Sequence, residues 1–168
     1  MSDTLLIARR FRGPEDSGNG GYTAGLVARR LGGNAEVTLR RPPPLERPLA
    51  VTRDGERVLV HDGPDLIAEA VPAVPSIEVP PPPTMAEAEA AAVGYAGFER
   101  HFFPGCFVCG PARSPGDGLR LFSGWVPGRD LVAAPVRADA CLPEEGGVLA
   151  TEIVWARLDC PGAGAVAR

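Results

Sequence analysis

Two glycine pairs and two carboxylates are the residues in this chain best placed for carbonyl chemistry. Asn19-Gly20-Gly21-Tyr22 and Glu145-Gly146-Gly147 each put a Gly-Gly pair at the mouth of a helix predicted from the residues that follow. The free N–H groups of a helix's first turn carry partial positive charge and stabilise an oxyanion that develops beside them. Glycine lets a carbonyl come close to that backbone, although a Gly-Gly pair is equally a general turn-and-cap device. Glu152 and Asp159 lie seven residues apart, about two helical turns, so they share roughly one face. Such carboxylates serve as general base or nucleophile, or simply as solvated surface charges.

The cysteines offer a second chemistry. Cys106 and Cys109 form a CxxC, half of a four-ligand zinc site. The other half is missing from the pattern: Cys141 and Cys160 are distant singletons, and His101 lacks ligand spacing. No metal and no other cofactor is assigned on this basis, and the pair reads as two small buried residues in a turn. A redox role would require the pair at a helix start after a strand, which the pattern does not supply. Arg113 and Arg120 are candidates for phosphate groups, with surface arginines as the alternative. His61 reads as a solvated turn residue and Trp155 as core.

Strands and helices must position these side chains. Residues 4–11 (TLLIARRF) read as a first strand, and the run from Gly13 to Gly21 breaks it. Ala24, Val27, Ala28 and Leu31 then recur at helical spacing. Ser17 or Asn19 can cap that helix, and Gly32-Gly33 suits its end. Short strands follow at 35–40, 48–53, 57–61 and 66–71, with Asp54-Gly55 marking a hairpin and Gly63-Pro64 a further turn. One helix against an antiparallel sheet predicts an α+β sandwich.

Residues 74–84 (VPSIEVPPPPT) change the regime to a stiff polyproline-like spacer. A short alanine-rich helix over 85–92 and an aromatic stretch over 98–109 come next. Strands over 118–125 and 130–136, joined by Pro127-Gly128, then lead to a helical stretch over 148–158. The order of strand, Gly-Gly and helix thus occurs twice, as a weak internal repeat, and the second copy stops early. The expected organisation is a first domain over 1–74, a linker with a short helix over 75–97, and an incomplete second domain over 98–168.

Composition narrows the function classes. Apolar residues make up 45% and charged residues 23% of the 168, which fits a globular chain rather than disorder. A net charge of −4, with no basic stripe, argues against nucleic acid as a partner. No stretch is long and apolar enough to span a membrane. Met1-Ser2-Asp3-Thr4 lacks the basic and apolar regions of an export signal, so the expectation is a cytoplasmic protein with reduced cysteines. All 17 cationic residues are arginine; this bears on base composition rather than function.

The Asn19-Gly20-Gly21-Tyr22 helix start resembles that of the hotdog-fold thioesterase superfamily, whose members often carry histidine at the Asn19 position. Cys106-Phe107-Val108-Cys109-Gly110-Pro111 followed by Gly118-Leu119-Arg120-Leu121 is similar to the opening of many single-hotdog thioesterases. The tandem order, with Trp155-Ala156-Arg157-Leu158-Asp159 on the second helix, resembles double-hotdog acyl-CoA thioesterases. The likeness runs from 4 to 71 continuously and from 106 to 164 in patches. It implies an antiparallel sheet wrapped around a central helix, in tandem with an incomplete second copy.

It also implies hydrolysis of an acyl thioester carried by coenzyme A or a carrier protein, or else a non-catalytic acyl-CoA-binding or assembly module. Double-hotdog enzymes place a catalytic aspartate at the end of the second helix, which corresponds to Asp159, with Glu152 in reserve. Single-hotdog enzymes carry an acid two turns into the helix, where this first helix has Val27 and Ala28. The resemblance therefore assigns oxyanion donation to Gly146-Gly147 and substrate contacts to Asn19, Gly20, Gly21 and Tyr22. Arg113 and Arg120 would meet the coenzyme A phosphates. The later strands that complete such a site are missing, so the expectation is a fragment of a longer protein, ahead of a site completed by another chain or a lost activity. Open sheet edges suggest a homodimer.

Overall fold

The computed structural model describes residues 3–137, 139 and 141–166. Its centre is an antiparallel sheet of five strands, β1 (Thr4–Leu6), β2 (Ala35–Leu39), β3 (Pro48–Asp54), β4 (Arg57–Asp62) and β5 (Asp65–Pro72), in the order β1-β3-β4-β5-β2. Helix α1 (Gly20–Leu31) connects the two edge strands. The period-two pattern explains which face it covers. Val58 and Val60 of β4, Ala68 and Ala70 of β5 and Leu49 of β3 all enter the core with α1. The turns obey their residues: Asp54 pairs with Arg57 and Asp62 with Asp65. Gly55 and Gly63 supply the positive φ that these tight connections need.

The other side of α1 is covered by α3 (Thr151–Val166). Every α1 residue from Gly21 to Ala28 is consequently buried. Gly21 and Gly25, one turn apart, make the close crossing possible. A Cβ on Gly21 would lie 2.6 Å from the Asp159 Cβ and 2.7 Å from the Trp155 carbonyl oxygen. One on Gly25 would lie 2.4 Å from the Glu152 Cα. Advancing along α1 thus moves backward along α3, so the two helices run antiparallel.

Residues 73–84 carry no helix or strand and are largely exposed, as the prolines dictate. Thr84 then opens α2 (Met85–Val93) with a capping box: its hydroxyl accepts from the Glu87 N–H while the Glu87 carboxylate accepts from the Thr84 N–H. Ala88 and Ala91 pack on a hairpin of two-residue strands, β6 (Gly124–Trp125) and β7 (Val132–Ala133). No helix among the described residues is long and apolar enough to cross a membrane.

Several expected elements need correction. The first strand ends at Leu6, because residues Arg9–Phe11 turn as a 3-10 helix that brings Phe11 onto Tyr22 at 4.0 Å between ring centroids. Segments 118–125 and 130–136 keep only the short β6 and β7. Leu119 and Leu121 donate instead to the carbonyls of Phe107 and Val108. Gly146-Gly147 opens no helix. It is the turn between β8 (Glu144–Glu145) and β9 (Val148–Leu149), with φ of 60° and 81°, the left-handed pair that a two-residue hairpin demands. Helix α3 begins only at Thr151 and continues past Leu158 through Pro161 to Val166. Residues from both sides of the proline spacer share one hydrophobic cluster, which includes Leu5, Val27 and Val60 with Phe107, Ile153 and Ala156.

Candidate functional site

The N-terminus of α1 is where the chemistry-bearing residues converge. Asn19, 2% exposed, is its N-cap. The Asn19 side-chain oxygen accepts from the Tyr22 N–H at 2.9 Å, and its own N–H is bound by the Phe11 carbonyl at 2.9 Å. The Gly21 N–H donates to Asp159 Oδ2 at 2.9 Å, and the Asn19 amide nitrogen donates to the same oxygen at 3.4 Å. The antiparallel crossing therefore carries the carboxylate of one helix onto the positive end of the other. Gly20 completes the cradle, since a Cβ there would stand 3.2 Å from Asp159 Oδ2. Among the described residues the Gly20 N–H has no acceptor within the chain. Asp159 itself is solvent-exposed.

The remaining candidates separate from this point. Glu152 is buried two turns back along α3 and pairs with Arg29 at 3.4 Å, which also pairs with Glu145 at 2.7 Å. It is a structural ion pair at the far half of α1. Gly146-Gly147 follows Glu145, whose partner Arg29 lies about 12 Å along the α1 axis from Gly21 at 1.5 Å per residue, so it is not gathered at Asp159. Tyr22 is core. It stacks on Phe11 and meets Phe107 edge-on, and burial, then the Glu152 charge, pushes its hydroxyl pKa upward. Arg113, 5% exposed, spends its nitrogens on the Gly105 and Arg10 carbonyls and on Asp117. Arg120 donates to the Arg113 carbonyl and lies over the Phe122 ring at 5.1 Å. Both arginines are tied into the fold around the Cys106 loop rather than gathered at Asp159.

Sequence spacing missed what lies directly beneath the Asn19 cap. Extension of α3 past Leu158 brings Cys160 to the CxxC, and the sulfurs of Cys106, Cys109 and Cys160 all lie within 4.8 Å of one another. Cys106 and Cys160 are 3.9 Å apart, and the Asn19 amide reaches both sulfurs at 3.9 and 3.8 Å. The Cys106 thiol is pushed far down by donation from the Cys109 and Cys160 thiols, helped by the Cys109 and Val108 backbone N–H groups. Cys109 and Cys160, as the donors to it, are pushed up. His101 approaches from outside, its Nε2 3.4 Å from the Cys109 sulfur. The expectation that no cluster joins the CxxC is thereby corrected. Only the tertiary crossing could supply the third sulfur, although the Gly21-x-x-x-Gly25 spacing was a legible sign of a close helix contact.

A cavity of about 310 Å³ adjoins this cluster. Tyr95, Phe102, Phe103 and Trp125 give it an apolar wall, and Cys109 and Cys160 form its floor. Compared with known proteins, the chain matches no family model, no curated protein and no solved structure. Fold and site thus define the class directly: an α+β protein with a five-stranded antiparallel sheet, whose central helix receives a carboxylate at its N-terminus.

Proposed function

We propose that this chain is an acyl-thioester hydrolase with a hotdog-type arrangement of sheet and central helix. The observation that carries the reading is the Asp159 carboxylate seated at the N-terminus of α1, 2.9 Å from the Gly21 N–H. Two requirements of thioester hydrolysis meet there. The substrate carbonyl oxygen takes the free Gly20 N–H, where the helix terminus stabilises the charge it gains in the transition state. Asp159, oriented by Gly21 and Asn19, removes a proton from water as it adds to the carbonyl carbon. Collapse of the adduct breaks the carbon–sulfur bond, and the leaving thiolate recovers that proton, giving a free acid and a thiol. The aromatic cavity beside Cys160 offers room for an acyl chain.

The assignment shifts the oxyanion donors from Gly146-Gly147 to Gly20, while keeping Asp159 as the base. Thiol release from a panel of acyl-CoAs tests it. Asp159→Asn keeps an acceptor for the Gly21 N–H and should lower turnover by roughly 10²–10⁴-fold, the usual worth of a general base. Glu152→Gln should leave turnover largely intact. Absence of turnover on every acyl-CoA, with coenzyme A still bound, would replace the hydrolase with an acyl-CoA-binding module. Equal turnover in wild type and Asp159→Asn would remove Asp159 from the mechanism.

A further inference from the structure

We propose that Cys106, Cys109 and Cys160 bind one zinc ion as three thiolate ligands, with His101 holding the Cys109 sulfur from outside the coordination shell. The sulfur spacing carries the proposal. Zinc–thiolate bonds of about 2.3 Å in a tetrahedron set ligand sulfurs about 3.8 Å apart. Cys106 and Cys160 are already 3.9 Å apart, and no pair in the trio exceeds 4.8 Å. A contraction of an ångström or less closes the set. Three buried or half-buried thiols converging from a loop and a helix have no packing reason to point at one another.

Hydrogen-bond donors surround the sulfurs. The Val108 and Cys109 backbone N–H groups both face the Cys106 sulfur, and the Asn19 amide reaches the Cys106 and Cys160 sulfurs. This knuckle can turn so tightly only because residue 110 is glycine. A Cβ there would fall 2.4 Å from the Pro104 oxygen and 2.6 Å from the Cys106 nitrogen. Such donors offset the excess negative charge of three thiolates around a dication. His101 belongs to the same outer layer. Its Nδ1 accepts the Phe103 N–H at 2.9 Å, which leaves the proton on Nε2, 3.4 Å from the Cys109 sulfur. It therefore donates to the sulfur instead of coordinating. Because Cys109 and Cys160 both line the aromatic cavity, the fourth position faces that cavity and takes water or an exogenous ligand.

The test uses the full chain, purified under reducing conditions without a metal-affinity step, supplied with zinc and freed of excess. Metal analysis should find one equivalent of zinc in wild type and in Cys141→Ser, and none in Cys160→Ser. Cobalt substitution should give strong thiolate charge-transfer absorption that Cys160→Ser loses. His101→Ala should keep the metal with affinity weakened about 10- to 100-fold. If Cys160→Ser does not fold, the wild type alone decides. A thiol reagent should modify only Cys141 in the zinc form, and three further cysteines once a chelator is added. No bound zinc in wild type, affinity unchanged in a folded Cys160→Ser, a Cys106–Cys160 disulfide, or iron in place of zinc would each overturn the proposal. None of these readouts depends on turnover, so the site and the hydrolase reading stand or fall separately.

Discussion

Glu69 contributes to how the fold responds to acid. It lies on the sheet face opposite α1, beside inward-facing Ala68 and Ala70, and it is gripped by Arg57 and Arg40. The Arg57 hydrogen bond, followed by that from Arg40, holds its pKa below the usual carboxylate range. A carboxyl whose folded pKa is depressed adds stability that is fully present above its unfolded pKa, about 4.3. That stability is lost as pH falls toward the folded value. Glu69→Gln should flatten this acid-side slope. Urea midpoints measured from neutral pH down through the carboxylate range check it, and parallel curves for wild type and variant would contradict it. Legibility at this scale was uneven. Asp159 was legible as a candidate because the Trp155–Asp159 run resembles a known pattern, although the helix continues past it to Val166. Cys160, its neighbour, was not, because Cys106 lies 54 residues away and meets it only through the tertiary fold.

At the scale of elements, the α1–α3 crossing is the feature most open to test. Alanine at Gly25 would drive its Cβ into the α3 backbone at Glu152. Helix propensity favours alanine by about 1 kcal/mol, but the overpacking opposes it with about 1–3 kcal/mol and forces the helices apart. The expected net result is a lower denaturation midpoint. Gly162→Ala is the natural contrast. It is also in α3, but its Cβ would meet nothing, so it should stabilise by up to about 1 kcal/mol. Equal responses at the two positions would argue against the close crossing.

The elements that were legible in the sequence are those whose partners are near in the chain. Strands β3, β4 and β5 follow each other through tight turns, and α1 carries its own cap in Asn19. The illegible ones depend on distant contacts. The same Gly-Gly dipeptide opens a helix after Asn19 and turns a hairpin after Glu145, and only the φ values separate the two uses. Residues 118–136 look like strands by composition, yet Leu119 and Leu121 bond to the Cys106 loop, and only the short β6 and β7 pair as strands, with each other.

For the whole molecule, the proline spacer divides the chain without dividing the core. Residues 73–84 are exposed, while the segments on either side share one hydrophobic cluster and the α1–α3 interface. A protease site inserted in the spacer and cleaved after folding should leave both pieces co-eluting under native conditions. They should separate only in denaturant. Separation in native buffer would mean that the shared core contributes little.

The crossing also has a consequence for how the chain is made. Asn19 and Asp159 are 140 residues apart, and at about 5–20 residues per second a ribosome needs roughly 7–28 s to deliver the second after the first. During that interval α1 can settle on the sheet, but its glycine-lined outer flank has nothing to rest against. The nascent protein therefore waits with one wall of its core bare, and a chaperone that shields that flank until α3 emerges would raise the yield of native chain more than one acting after release.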